Sequence, residues 1–265
     1  VFICLATKAV HFEVVSSLST EAFLNALRRF VGRRGPVGRM YSDNGTNLVG
    51  AFRQLEDIQA QIHERSMEWT FIPPLAPHFG GLWEAGVKSM KTHLKKILKD
   101  SLLTIEEMST VLVQVEAVLN SRPLCPMTNS PEDLDVLTPA HFLVGQQYVP
   151  VPENPDDGTL RQQFGDIQRY YKDITRRYKT EYVTRLNQRP KWLKLEPKVL
   201  VGELVLLAED NIATTKWSLG RVLETYEGTD GLIRVVKVKT KDGEKTRPIT
   251  KIARLPCTST LPTAN

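Results

Sequence analysis

Two acidic residues, Asp43 and Glu84, lie at the boundaries of predicted secondary-structure elements, where their carboxylates could bind a metal ion. Asp43 follows a predicted strand at 37–42, and Glu84 opens a predicted helix after a loop rich in proline and glycine. Mg²⁺ prefers carboxylate oxygens, and two such ions about 4 Å apart stabilise an in-line phosphoryl transfer. The pair therefore predicts part of a two-metal phosphoryl-transfer site. An acidic residue at the end of an element is also a common cap, so this alternative stays open.

The helix that begins near Glu84 carries lysines on the same face. At 100° per residue, Lys88, Lys91 and Lys95 fall within about 40° of Glu84 around the helix axis. A lysine stripe that leads away from a metal site fits the phosphate backbone of a nucleic acid. An ordinary solvated face with Glu–Lys pairs four residues apart gives the same pattern, so the residues alone do not decide.

Composition limits the class of protein. Of the 265 residues, 41% are hydrophobic and 25% are charged, as in one large or two ordinary globular domains. No apolar run approaches the roughly 20 residues of a membrane span, so we expect no membrane partner. Cys4, Cys125 and Cys257 form no CxxC pair, which argues against a zinc knuckle and favours a reducing compartment.

Charge is distributed unevenly along the chain. Residues 1–160 hold 14 Lys and Arg against 18 Asp and Glu, a net charge of −4, whereas residues 161–265 hold 21 against 12, a net charge of +9. An acidic half with candidate metal ligands and a basic half together indicate a polyanionic partner. A well-solvated surface is the alternative that charge alone does not remove.

Hydrophobic periodicity predicts two regions that differ in secondary structure. In the first, strands are predicted at 1–6, 10–15, 37–42 and 67–72, and helices at 19–34, 51–64, 82–100 and 104–120. The first two strands are close enough to form a hairpin. His11 and Glu13 share a face of the second strand, and we interpret them as structural polar residues rather than metal ligands.

The second region begins with a loop rich in proline, followed by a long polar helix predicted at 160–187. From Val199 onward, four or five short strands are separated by turns that contain glycine. Short strands at this spacing predict a small β-barrel.

Several motifs resemble the integrases of BEL/Pao-type LTR retrotransposons. They are Ala6–Glu13 (ATKAVHFE), Ser42–Asn47 (SDNGTN) and Pro77–Glu84 (PHFGGLWE). The tail is similar to the small domain that follows the catalytic core in those polyproteins, in the segments Arg189–Trp192, Lys216–Val222 and Arg247–Lys251. The resemblance covers nearly the whole chain, with the motifs in the right order and spacing.

The resemblance implies an α/β fold class: a truncated ribonuclease-H-like mixed sheet with flanking helices, followed by a small C-terminal SH3-like β-barrel. The implied domains are an integrase catalytic core at 1–123 whose first strand is missing, a loop and basic linker helix at 124–188, the SH3-like domain at 189–257 and a tail at 258–265.

The resemblance also implies DNA 3′-end processing and strand transfer. In these integrases an Asp, Asp, Glu triad holds two Mg²⁺ or Mn²⁺ ions, and water or a DNA 3′-hydroxyl attacks a phosphodiester without a covalent enzyme intermediate. Asp43 matches the second carboxylate and Glu84 the third, so both are the expected catalytic and metal-binding residues. The expected partner is double-stranded DNA, from the element ends and the target, and the intact protein is expected to be a nuclear homo-oligomer.

Residues expected to contact DNA follow from the same resemblance. Lys88 and Lys91 match lysines that meet DNA in related retroviral integrases, and Thr46 and Asn47 follow Asp43 where those enzymes approach DNA. Lys95 is a further expected DNA contact because it shares the helix face of Glu84, and Lys216 and Arg221 are expected contacts within the tail segment Lys216–Val222.

The first Asp of the triad is expected on a strand before Val1, and no residue of the chain replaces it, since Glu13 is on a different strand. We therefore expect strand transfer from a protein that includes that strand and not from this chain alone. Two alternatives stay open. One is a catalytically inactive nucleic-acid-binding protein, and the other is a remnant that does not fold because its sheet lacks a central strand.

Overall fold

The computed structural model describes residues 1–62, 67–72, 91–92, 94–95, 102–128, 130, 132–148, 162–187, 199–209, 217–229 and 231–256. These residues form both helices and sheets, which confirms the predicted α/β class. The chain divides into two compact units, Val1–Leu5 with Val10–Glu116 and Ala6–Ala9 with Ala117–Asn265. Among the described residues, no helix is long and apolar enough to cross a membrane.

The first unit contains paired strands and the helices between them. Its described elements are β1 (Phe2–Ile3), β2 (Val10–His11), α1 (Thr20–Arg34), β3 (Arg39–Ser42), α2 (Thr46–Ile62), β4 (Glu68–Phe71) and most of α3 (Ile105–Asn120). β1 and β2 pair antiparallel, as the predicted hairpin requires, and β3 and β4 pair in parallel with α2 between them. In the described residues these remain two separate two-stranded sheets, whereas the resemblance implied one mixed sheet.

α1 begins and ends where its sequence predicts. Ser19 is the N-cap, and its Oγ accepts a hydrogen bond from the Ala22 N–H at 3.2 Å. At the other end Gly35 has a φ of 87°, and its N–H donates to the Val31 carbonyl at 2.8 Å. Glycine occupies this left-handed position without steric cost, so the Gly-Pro pair stops the helix.

α2 begins at Thr46, five residues before the apolar periodicity that predicted it. The Gly45 carbonyl accepts the N–H groups of Leu48 and Val49, each at 2.9 Å, and so starts the helix. The first turn carries the polar residues Thr46 and Asn47, so the apolar periodicity of the helix is not visible there. The apolar periodicity of the sequence therefore places the start of α2 too late.

An aromatic cluster holds α2 against β4. Trp69 and Phe71 alternate with polar residues on β4 and point to one face. The ring of Phe52 on α2 meets both edge-on, with centroids 5.9 Å and 5.3 Å away, and Phe23 of α1 lies 5.7 Å from Trp69. Each such pair contributes about 0.5–1.5 kcal/mol beyond its buried area.

The second unit combines short elements with a five-stranded sheet. Its described elements after α3 are β5 (Cys125–Pro126), β6 (Val136–Leu137), α4 (His141–Val144), α5 (Gln162–Leu186), β7 (Leu204–Leu207), β8 (Leu219–Glu227), β9 (Ile233–Thr240), β10 (Gly243–Pro248), a 3₁₀ helix (Ile249–Lys251) and β11 (Ile252–Arg254). The sheet order is β10-β9-β8-β7-β11, antiparallel throughout. In the described residues the strands form an open sheet and not a closed barrel.

β7 is buried on both faces, which explains its unbroken apolar run. Val205 and Leu207 join one core cluster with residues of β8, β9 and β11. Leu204 and Leu206 join a second cluster on the opposite face, where Tyr182 and Leu186 of α5 pack. The end of α5 therefore covers one face of the sheet, although the sequence suggested a linker helix separate from the C-terminal domain.

Gly220 allows close strand packing in β8. A Cβ at this position would lie 3.1 Å from the Val238 Cβ on β9, closer than most real contacts. The glycine in the Trp-Ser-Leu-Gly-Arg motif thus has a packing reason.

Candidate metal and nucleic-acid site

Asp43 lies immediately after the carboxyl end of β3, where β3 runs parallel to β4. Its side chain is exposed, and Oδ1 accepts a hydrogen bond from the Gly45 N–H at 3.0 Å. Ligand sites of α/β proteins lie outside the carboxyl ends of parallel strands. The position of Asp43 therefore satisfies the topological condition for a metal ligand.

The loop that carries Asp43 is tied to β4 by side-chain hydrogen bonds. Asn44 Nδ2 donates to the Ile72 carbonyl at 2.9 Å, just beyond the end of β4. Trp69 Nε1 donates to Ser42 Oγ at 2.9 Å, and this hydroxyl donates to the Asp43 carbonyl at 2.9 Å. These bonds position the backbone on both sides of the carboxylate, as a binding site requires.

Thr46 and Asn47 occupy the first turn of α2, beside Asp43. Thr46 is exposed and Asn47 is half-buried. A Cβ at Gly45 would lie 3.0 Å from Asn47 Oδ1 and 3.1 Å from Asp43 Oδ1, so the glycine leaves room for both side chains. The structure therefore brings together Asp43 and both predicted DNA contacts of the Ser-Asp-Asn-Gly-Thr-Asn motif.

Of the predicted site residues on the helix predicted at 82–100 and in the tail, the structure describes some and not others. Lys91 and Lys95 are helical and exposed. Glu84, Lys88 and Lys216 lie outside the described residues. The predicted pairing of Asp43 with Glu84 therefore stays a prediction.

A metal site needs several ligands that converge on one point. Of the predicted ligands, Asp43 lies in the described part of the chain. An exposed carboxylate on a positioned loop fits the hard oxygen ligand that Mg²⁺ takes. Within the described residues, no group of three or more His, Cys, Asp or Glu side chains could hold a metal ion. The predicted site would add Glu84 and a further carboxylate to Asp43.

Arg221, predicted to contact DNA, is buried in the second unit with an exposed fraction of 4%. Its guanidinium donates to the Gly202 carbonyl at 2.8 Å and to the Asp133 carbonyl at 2.7 Å. The side chain therefore joins the start of the sheet to the segment before β6. This placement favours a structural role for Arg221 over a phosphate contact.

A buried charged network surrounds His11 in the first unit. His11 Nε2 lies 3.0 Å from Glu13 Oε1, and Nδ1 lies 3.2 Å from Glu116 Oε2. Arg34 pairs with Glu116, and Arg29 Nε donates to Glu13 Oε2 at 2.5 Å. The carboxylates of Glu13 and Glu116 thus bind protein cations, which supports the structural interpretation of His11 and Glu13.

The pKa of Glu13 is lowered by this network. Burial alone would raise the pKa, but hydrogen bonds from Arg29 and His11 and the charge of Arg33 favour the ionised form more strongly. Glu13 is therefore ionised throughout the neutral pH range.

Sequence reasoning missed Glu116, the centre of the network. Glu116 is 6% exposed and lies on α3 one residue after buried Val115, and Leu119 is buried one turn later. A charged residue inside an apolar helical face is the signal that marks it, because such a residue needs a partner when buried.

Lys179 is another group in an unusual environment, within the second unit. Its ammonium lies 5.4 Å from the ring centroid of Trp217, whose ring meets Tyr182 at 5.3 Å. Burial lowers the pKa of Lys179 to about 8. Trp217 Nε1 donates to Ser121 Oγ at 3.1 Å, so the indole is fixed in place.

Comparison with known families supports α5 and the sheet as one module. Residues 162–255 match the model of a family of unknown function, DUF5641. The match begins at the first residue of α5 and ends one residue after β11. No curated protein matches the chain.

Proposed function

We propose that the chain is part of a BEL/Pao-like retrotransposon integrase, in which Asp43 and Glu84 hold divalent metal for DNA strand transfer. The observation that carries the proposal is the position of Asp43. Its exposed carboxylate follows a parallel strand, on a loop anchored to the neighbouring strand by Asn44. This is where α/β folds place ligands, and the Ser-Asp-Asn-Gly-Thr-Asn motif there resembles the integrase motif.

The topology of each unit supports the proposal of a ribonuclease-H-like core followed by an SH3-like domain. An antiparallel hairpin, a β-α-β unit and the helix α3 are elements that a ribonuclease-H-like core contains. In the second unit, the last strand β11 returns to pair with the first strand β7, after a 3₁₀ helix at Ile249–Lys251. This return supports an SH3-like fold.

The residues around Asp43 would act by positioning. Divalent metal, when bound, supplies the positive charge that offsets charge developing on a transferring phosphoryl group. The Gly45 N–H fixes one carboxylate oxygen of Asp43, and Thr46 and Asn47 extend the polar surface beside it. Exposed Lys91 and Lys95 would contribute phosphate contacts. Double-stranded DNA, nuclear location and a homo-oligomeric state belong to the same proposal.

The test is strand transfer by a protein that also includes the strand expected before Val1. Substitution of Asp43→Asn or Glu84→Gln should abolish joining of a DNA 3′ end to target DNA, because each removes a metal ligand. Asp57→Asn is the matched control, because Asp57 is an exposed acid on the neighbouring helix α2. Full activity of the Asp43→Asn protein would show the assignment to be wrong.

A second candidate is a non-catalytic nucleic-acid-binding protein. The net charge of +9 over residues 161–265 favours it. It requires DNA binding that weakens steeply with salt and no strand transfer, even with the upstream strand present. Metal-dependent joining of DNA ends would exclude it.

A further inference from the structure

Where the structure describes the side chains of α5, the exposed charged residues all carry positive charge. In residues 167–187, whose side chains the structure describes, every exposed residue is arginine, lysine or threonine. They are Arg169, Lys172, Arg176, Arg177, Thr180, Thr184 and Arg185. The two acidic residues of the stretch, Asp173 and Glu181, are only partly exposed and pair with Arg176 and Arg185.

Most of these residues share one side of the helix. At 100° per residue, all except Arg185 fall within an arc of about 140°, and the stripe from 169 to 184 is about 22 Å long. The opposite side carries Tyr171, Ile174 and Thr175, which are buried. The helix is therefore fixed to its unit by one side and presents cations on the other.

This composition fits a polyanion with regularly spaced charges. A helix that lies on a membrane inserts an exposed apolar face, but the apolar side of α5 is buried in protein. The exposed residues of 167–187 include no aromatic, asparagine or glutamine side chain. Their arginines and lysines are side chains that commonly contact phosphate oxygens, so we expect this face to bind mainly through the phosphate backbone.

The sheet of the same unit is a weaker candidate because the exposed acids Glu224, Glu227, Asp242 and Glu244 stand among its cations. Lys237 lies 2.7 Å from Glu244. Lys245 and Arg247 both bind Glu209, at 3.1 Å and 3.0 Å. Burial alone would raise the pKa of Glu209, but the hydrogen bonds that its carboxylate accepts from Ser218, Lys245 and Arg247 lower it, so its charge persists at neutral pH.

The geometry points to the α5 cationic face, formed by Arg169, Lys172, Arg176 and Arg177, as the surface on which this unit binds the phosphate backbone of double-stranded DNA. The inference rests on the DNA partner of the proposed function. It assigns the contact to a helix that includes neither Lys216 nor Arg221, the contacts expected from the sequence in this region.

Two matched triple variants of the full chain test the assignment. One is Arg169→Gln, Lys172→Gln and Arg177→Gln on α5, and its control is Arg234→Gln, Lys241→Gln and Lys251→Gln. Each removes three positive charges at exposed positions. Circular dichroism should show equal helix content in both, because glutamine is a good helix former.

The measurement is the dissociation constant for a duplex of random sequence over a series of NaCl concentrations. The α5 variant should weaken binding on the order of tenfold or more and reduce the slope of log K against log salt by about 2 to 3. The control variant should stay close to the unaltered chain. Equal losses in both variants, or no loss in the α5 variant, would overturn the assignment.

The same titration separates this inference from the proposed function. An unaltered chain that binds duplex with a steep salt slope, together with an unchanged α5 variant, overturns only the inference. An unaltered chain that binds no duplex overturns the DNA partner and the inference together. Binding to phosphatidylserine vesicles that exceeds binding to duplex would also count against both.

Discussion

Glu116 Oε2 accepts a hydrogen bond from the backbone N–H of Phe12 at 2.8 Å. A side chain of α3 thereby binds the backbone at the residue that follows β2. The other oxygen pairs with Arg34 at the end of α1. One buried carboxylate thereby connects a strand and two helices that are far apart in sequence. A buried charge with several donors is costly to leave half-paired, which makes this residue a sensitive test of the first unit.

Removal of the Glu116 charge should destabilise the chain. Glu116→Gln keeps the shape of the side chain but replaces one acceptor oxygen by an NH₂ donor, so either Arg34 or the Phe12 N–H loses its acceptor. We expect the free energy of unfolding to fall by about 2–4 kcal/mol. Urea denaturation followed by circular dichroism measures the change. Glu106→Gln is the control, because Glu106 is exposed on the same helix. Equal stability of the two variants would contradict a structural role for the network.

Glu13 should make stability depend on pH in the acid range. Its pKa is lowered in the folded state, since hydrogen bonds from Arg29 and His11 outweigh burial. A carboxyl with a lowered folded pKa contributes stability above its ordinary pKa and loses it as pH falls through the folded value. The stability difference between the unaltered chain and Glu13→Gln should therefore be largest at neutral pH and shrink towards about pH 3. A difference that does not change with pH would rule out this linkage.

Arg221 should matter for folding and not for DNA affinity. Lysine cannot reach the Gly202 and Asp133 carbonyls together, so Arg221→Lys should lower the free energy of unfolding by about 2–3 kcal/mol. The variant should bind duplex DNA normally under conditions where it is folded. Arg234→Lys, an exposed position on the same sheet, should change neither quantity. Lost affinity without lost stability would restore Arg221 as a DNA contact.

Lys179 should titrate well below an ordinary lysine. Burial disfavours its charged form and lowers its pKa to about 8, beside the ring of Trp217. Reductive ¹³C-methylation followed by an NMR titration should show one lysine signal with a midpoint near this value. The Lys179→Arg variant identifies that signal by its disappearance. The prediction fails if the assigned signal titrates near the ordinary lysine value.

The elements that the sequence predicted well are those defined by local chemistry. Ser19 and Gly35 bound α1 through short-range hydrogen bonds and a positive φ, and both effects are visible in the residue types. The helical start at Thr46 was missed because a glycine carbonyl and polar residues form that turn. Asp43 could be placed at a strand end because its strand and the following turn are both local.

Features that depend on long-range contacts were not predictable in the same way. Glu116 binds Phe12 and Arg34, which are far away in the chain, and only its position in an apolar helical face hinted at burial. Arg221 stands in a motif that suggests DNA binding, yet its partners are backbone carbonyls that no spacing rule identifies. The packing of Leu186 on the sheet likewise depends on tertiary structure. For this reason the sequence predicted α5 to be a linker helix.

The most direct measurement of the central claim is the effect of Mn²⁺ on the backbone amide signals of a protein that also includes the strand expected before Val1. If Asp43 is a metal ligand, small additions of Mn²⁺ should broaden the amide signals of Asn44 and Gly45 before that of Asp57, because paramagnetic broadening falls steeply with distance. Asp43→Asn should abolish this selective broadening and leave the fold intact, since the side chain is exposed. Selective broadening that survives in Asp43→Asn, or uniform broadening at all exposed acids, would contradict a metal site at this loop.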